Sequence, residues 1–183
     1  MDRRQRKSRE AIFGAFTALL SEKDLGKITV GEIIERADVG RATFYAHFET
    51  KDYLLKELCE ELFCHIFDSE TENGTDHRHI FDCNSRESVF LHLLYHLENN
   101  DNGLLNLLYG KNNELFLTYF KKGLRELVKS QLHLLRNEKN SVLPESFLIN
   151  HISSAFVETV RWWIDGGMKE SHLKVYEYFC VIL

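Results

Sequence analysis

The sequence predicts an all-α fold, and three observations point there. One proline and ten glycines in 183 residues leave little punctuation for a sheet of many short strands. Phe and Leu are abundant while Val is sparse, a balance that suits helices better than strands. Apolar residues also recur at three- and four-residue spacing along most of the chain, the period of a helix with one buried face.

Ile12, Phe13, Phe16, Leu19 and Leu20 place a first helix over about residues 6–22. Asp24-Leu25-Gly26-Lys27 ends it, with Gly26 available for a left-handed cap. Thr29 and Glu32 make a capping-box pattern that opens a short second helix. It carries Val30, Ile33, Ile34 and Ala37 on one face and stops at Asp38-Val39-Gly40. A third helix runs from Arg41 to about Phe48, with Phe44 and Phe48 one turn apart. Thr50 caps a fourth, striped by Leu54, Leu55, Leu58, Leu62 and Ile66 and ending near Phe67. Residues 68–84 are polar and read as a loop between two domains, 1–67 and 68–183.

In the second part, Phe90, Leu93, Leu94 and Leu97 mark one helix, and Leu104 to Tyr109 a short one. A long helix runs from about Asn113 to Arg136. Pro144 stands at the start of another, where its missing N–H costs nothing, and Gly166-Gly167 break it. Val175, Tyr178, Phe179 and Ile182 stripe a final helix.

A hydrophobic fraction of 44% and a charged fraction of 28% are those of a globular protein rather than a disordered one. No run reaches about 18 apolar residues, so no membrane span is expected, and Ser8, Arg9 and Glu10 stand where a signal peptide would be apolar. The expectation is a cytoplasmic protein whose cysteines (Cys59, Cys64, Cys83, Cys180) are free thiols. The net charge of −5 is unevenly spread. Residues 1–52 hold ten Lys/Arg against nine Asp/Glu, and the remainder thirteen against nineteen. Five of those ten (Arg3, Arg4, Arg6, Lys7, Arg9) form a basic N-terminal arm, compatible with reaching a DNA minor groove or with a solvated tail.

Residues 29–48 carry the chemistry. Two short helices joined by a tight turn suit a DNA major groove, the second entering it and the first bracing it across the backbone. Opposite the anchors Phe44 and Phe48, the second helix shows Ala42 and Ala46 flanked by Thr43 and Tyr45, and small residues there permit close approach to base edges. Arg41 suits guanine and Thr43 a thymine methyl or base edge, while Tyr45, His47 and Lys51 suit phosphates.

The stretch Ile28 to Leu55 closely resembles the signature of the TetR/AcrR regulators, with Thr43-Phe44-Tyr45-Ala46-His47-Phe48 after the turn and Lys51-Asp52-Tyr53-Leu54 opening the fourth helix. The resemblance covers about residues 6–66. Two positions depart from the common pattern. Asp38 replaces the usual turn glycine, which an aspartate's access to the left-handed region tolerates, and Gly40 replaces the usual serine cap. Arg161-Trp162-Trp163-Ile164-Asp165-Gly166-Gly167-Met168 is similar to a tryptophan-pair motif in one branch of that family, which includes regulators related to dihydroxyacetone-kinase activation.

The resemblance implies a three-helix helix-turn-helix DNA-binding domain and a larger helical effector-binding and dimerisation domain. It implies a homodimer on a double-stranded, palindromic DNA operator, a ligand-responsive repressor, and a pocket for a small hydrophobic effector. The DNA-contacting set is Thr29, Arg41, Ala42, Thr43, Tyr45, His47 and Lys51. Phe116, Tyr119, Phe120, Phe156 and Trp162 are candidates for the pocket, against ordinary core packing. Trp163, Val175, Phe179 and Ile182 are candidates for the dimer interface.

His92 and His96 lie four apart, but no third ligand is near in sequence, so they read as core or solvated histidines. His77, His79 and Cys83 read as loop residues. No metal, cofactor or catalytic residue is expected, since no nucleophile elbow, zinc-protease helix or phosphate loop is present. The rival reading is a co-regulator acting through a protein partner, whose groove-facing surface would be damaged; here that surface is intact.

Overall fold

The computed structural model describes residues 3–68, 88–99, 103–109, 113–137 and 140–183, with the backbone alone for Phe67, Asp68 and Tyr109. His77, His79 and Cys83 lie outside the described residues. Among these there are nine α-helices and no strand. They are α1 (Arg3–Glu22), α2 (Val30–Arg36), α3 (Arg41–His47), α4 (Lys51–Asp68), α5 (Val89–Glu98), α6 (Leu104–Tyr109), α7 (Glu114–Leu135), α8 (Glu145–Asp165) and α9 (His172–Val181). None is long and apolar enough to cross a membrane.

Local chemistry sets the first boundaries. The Thr29 hydroxyl accepts the Glu32 N–H at 3.2 Å, and the Glu32 carboxylate accepts the Thr29 N–H at 2.9 Å, closing the capping box of α2. The Lys23 ammonium, and then the Thr29 donors, hold the Glu32 carboxyl down at about 2. Asp38 takes the left-handed conformation, φ 50°, between α2 and α3, as the departure from glycine requires. Gly40 caps α3 with its extended backbone and no side-chain bond. Gly26 differs from expectation: it sits inside a 3-10 turn (Leu25–Lys27), and the left-handed glycines among the described residues are Gly103 and Gly167. The basic arm differs too, since α1 already begins at Arg3.

Packing joins the two parts through one apolar cluster that runs from Ile12 of α1 to Phe179 of α9. Helices α1, α2 and α3 form a head; α4 leaves it to pack on α7 and α5, α7 on α8, and α9 on both α5 and α8. Helix α6 returns to α1, where the Asn106 amide donates to the Leu20 carbonyl at 2.6 Å. Helix α4 crosses α7 at close range. A Cβ on Gly123 would lie 2.2 Å from the Phe63 ring, so only glycine admits that ring at that depth.

Gly123→Ala should therefore lower the urea midpoint, at an overpacking cost on the order of 1–3 kcal/mol. Adding Phe63→Leu should recover part of that loss; strictly additive effects of the two changes would mean that the glycine is not there for the ring.

Candidate nucleic-acid interface

The exposed side of α3 is built by what its buried side requires. Phe44 and Phe48 are fully buried, 5.9 Å apart between ring centres, and Phe13 of α1 meets Phe48 edge-on at 5.2 Å. Pinned there, α3 turns Arg41, Ala42, Tyr45 and Ala46 to solvent and leaves Thr43 and His47 half-buried. Tyr45 is 47% exposed although it is a large aromatic, its ring edge-on to Phe44. One helix face thus presents a guanidinium, two small residues and a phenol with no apolar cover, a surface suited to base edges and phosphates.

Four polar groups expected at the DNA, or in the arm beside it, already have partners in the protein. The Lys51 ammonium donates to the carbonyls of Leu25 and Ile28, 2.9 Å from each, fastening α4 to the turn before α2. Thr29 is exposed, with its hydroxyl and N–H engaged in the capping box. The Ser8 hydroxyl lies 2.9 Å from the Gln5 carbonyl and 2.7 Å from His47 Nε2; when its proton goes to the carbonyl, its oxygen accepts from the imidazole. Burial, and then the Arg9 charge, push the His47 imidazole below its ordinary pKa. Arg9 itself is not free for a groove: it bridges Glu57 at 3.0 Å and Glu61 at 2.9 Å on α4, with its guanidinium 4.6 Å over the Phe13 ring. Arg3, Arg4, Arg6 and Lys7 remain exposed on the first turns of α1.

In the second part the expected sets separate differently. Phe116 and Phe120 are buried against each other and Phe63, with Tyr119 half-buried beside them. Phe156 is buried elsewhere, against Phe90 and Phe179. These rings form two clusters rather than one lining. The two tryptophans exchange the places expected of them. Trp163 is 2% exposed and donates its indole N–H to the Glu170 carbonyl at 2.7 Å, whereas Trp162 is 54% exposed. Val175 and Phe179 are fully buried inside the protomer, which removes them, with Trp163, from any surface. Ile182, 63% exposed, remains outside with Tyr178. Trp162, Tyr178 and Ile182 border a groove of about 410 Å³ between α8 and α9, with Phe179 beneath it.

One cluster lies outside all of these sets. His92 and His96 on α5 are fully buried, and His65 of α4 joins them, so that one ring nitrogen of each lies within 4.8 Å of the others. The third member was hidden by sequence distance. Its trace is a polar residue on the stripe Leu58, Leu62, Ile66, at a position where the helix faces α5.

Two family models match the chain. Bacterial regulatory proteins of the tetR family match residues 9–58, and a transcriptional regulator C-terminal region matches 84–183. The crystal structure of a TetR transcriptional regulator from Streptococcus agalactiae 2603V is similar over 99% of this chain and 96% of that one, with 35% identity and a TM-score of 0.73. The fold is shared with the transcriptional regulator FadR from Bacillus subtilis, solved in complex with stearoyl-CoA, at 18% identity, a TM-score of 0.61 and coverage of 92% and 94%. An HTH-type transcriptional regulator of Bacillus subtilis (strain 168) is 36% identical over 78 residues, which is 40% of this chain and 20% of that relative's length.

Because the folded state resists protonation of His47, it binds fewer protons than the unfolded chain below about pH 6.5. Stability from this group is present above that pH and is lost as the pH falls through it. The drop in melting temperature between pH 7.5 and 5.5 should be smaller in His47→Gln; an equal drop in both proteins would show that His47 does not carry the linkage.

Proposed function

The chain belongs to the TetR family of transcriptional regulators, and from that premise we propose that it is a ligand-responsive repressor that binds a palindromic operator as a homodimer. The helix-turn-helix makes it a DNA-binding regulator, and regulators of this family are transcription factors rather than enzymes. The observation that carries the reading is the outward face of α3, where Arg41, Ala42 and Tyr45 stand exposed on a helix pinned by Phe44 and Phe48. Arg41 pairs with a guanine, Thr43 reaches a base edge and Tyr45 a phosphate. Lys51 acts on the backbone instead. By holding the Leu25 and Ile28 carbonyls it fixes the approach to α2, whose capped N-terminus faces the phosphate backbone when α3 lies in the groove.

The dimer uses the outer faces of α8 and α9, where Trp162, Tyr178 and Ile182 leave apolar surface uncovered beside the groove. Repression is relieved when a ligand binds the conformer whose two reading helices no longer match the operator spacing. A hydrophobic effector would sit near Phe116, Tyr119 and Phe120, of which Phe120 meets Phe63 of α4; that the Bacillus subtilis regulator of this fold was solved in complex with stearoyl-CoA supports this reading.

Fluorescence anisotropy against DNA from upstream of the gene, with scrambled competitor at two salt concentrations, tests the central reading. Tyr45→Ala should weaken binding without altering the circular dichroism spectrum; wild-type affinity would remove α3 as the reading surface. Lys51→Met separates two roles: a strut leaves the salt slope unchanged, whereas loss of one phosphate contact lowers it by about 0.9.

Trp162→Ala with Ile182→Glu should convert the dimer to folded monomers in sedimentation velocity. Dimers that persist in the double variant would move the interface off α8 and α9.

A further inference from the structure

We propose that His65, His92 and His96 form a binding site for a first-row divalent cation of the Zn²⁺ class, and that the ion joins α4 to α5. The geometry is already convergent. His92 and His96 share one face of α5 with their Nε2 atoms 3.0 Å apart, and one His65 nitrogen completes a set lying within 4.8 Å. Zn–N bonds of about 2.0–2.1 Å in a tetrahedron put ligand nitrogens about 3.3 Å apart, so ordinary side-chain torsions bring these three onto one ion.

The donor set selects the ion. Three imidazole nitrogens suit Zn²⁺, Co²⁺, Ni²⁺ or Cu²⁺ and are poor ligands for Mg²⁺ or Ca²⁺, which take oxygen. Burial, then His96 and His65, lower His92 to about 4, which keeps that ring in the unprotonated, ligating form at neutral pH. Three neutral ligands leave the full charge of the ion in place, so the fourth position goes to water or an anion.

The position of the site gives the ion a consequence, which rests on the chain being the regulator proposed above. His65 stands on the helix whose first turn is fastened to the head by Lys51 and whose next turns are tied to α1 by Arg9. An ion shared with α5 fixes the tilt of α4 against the second part of the protein, and with it the placement of α3. The cation is then an effector acting through the angle of one helix, and the coupling should fall in the usual range of about 5–150-fold in operator affinity.

The test uses the full-length protein freed of metal with a chelator and titrated with Co²⁺, read by visible d–d absorption. One Co²⁺ per protomer, displaced by Zn²⁺ and abolished in His65→Asn and in His92→Leu, each with its helical spectrum intact, is the expected result. X-ray absorption of the Zn²⁺ form should show three nitrogen scatterers of the imidazole type. Absence of Co²⁺ binding to the wild type overturns the site whether or not the variants fold, as does binding that survives in both folded variants. Operator affinity is then compared with and without one equivalent of Zn²⁺. A shift of at least fivefold that both variants lose supports the coupling, and an unchanged affinity overturns it. No operator binding under either condition would refute the regulator reading, while the Co²⁺ titration still decides the site.

Discussion

The ammonium of Lys51 sits between the carbonyls of Leu25 and Ile28, and through it the first turn of α4 is fastened to the turn that joins α1 to α2. The Leu25 carbonyl also accepts the Ile28 N–H at the end of a 3-10 turn, and a charged donor satisfies such carbonyls more strongly than water or a neutral side chain would. Nearly two and nearly three turns farther along α4, Glu57 and Glu61 sit on one face and grip Arg9 of α1. A head of about 50 residues is marginal in size, and here its core is continuous with the apolar stripe of α4. The cost is mechanical: α4 cannot shift without carrying the head along.

At its other end α4 meets different partners. Phe63 enters the notch over Gly123 of α7, and His65 meets the two histidines of α5. The 18-residue helix is a lever, since a tilt of about 5° moves the far end of its ~27 Å length by about 2 Å. A reading helix that depends on contacts of about 3 Å is sensitive to such a displacement. On the proposed reading, regulation needs no large rearrangement, only a group at the α4–α5 contact that prefers one tilt. This is why a polar cluster buried there matters more than the same residues would on a surface.

Nearly every helix was legible in the sequence, because each combines a stripe with a local stop signal whose physics is short-range. The Thr29–Glu32 box, the left-handed Asp38 and the break at Gly166-Gly167 are examples. The anchors Phe44 and Phe48 were legible for the same reason. What escaped depends on contacts across the fold. Trp162 and Trp163 are one residue apart, and a step of about 100° around a helix decides which is buried; periodicity blurred by two adjacent indoles does not resolve it. Lys51 belongs to a DNA-contacting pattern, yet its partners lie more than 20 residues upstream. His65 was read past because its neighbours on α4 are leucines, and only the packing of α4 on α5 gives it two partners. Val175 and Phe179 stripe the last helix, and their cover lies within the protomer, on α5, rather than across a dimer interface.

The short α3 sets the remaining requirement. Seven residues expose three or four side chains to a groove, and at about 1–3 kcal/mol for each well-made base contact one head discriminates only modestly among sequences. Two heads held at a fixed separation square that discrimination, because both half-sites must match at once. The apolar surface left on α8 and α9 is suited to hold them, and it belongs to the part of the protein farthest along the chain from α3. In the proposed dimer, any change in tilt of α4 is felt as a change in spacing between two heads rather than as damage to either. On that proposal, specificity and its control reside in the same distance, set by α4 in each protomer and by the α8–α9 face between them.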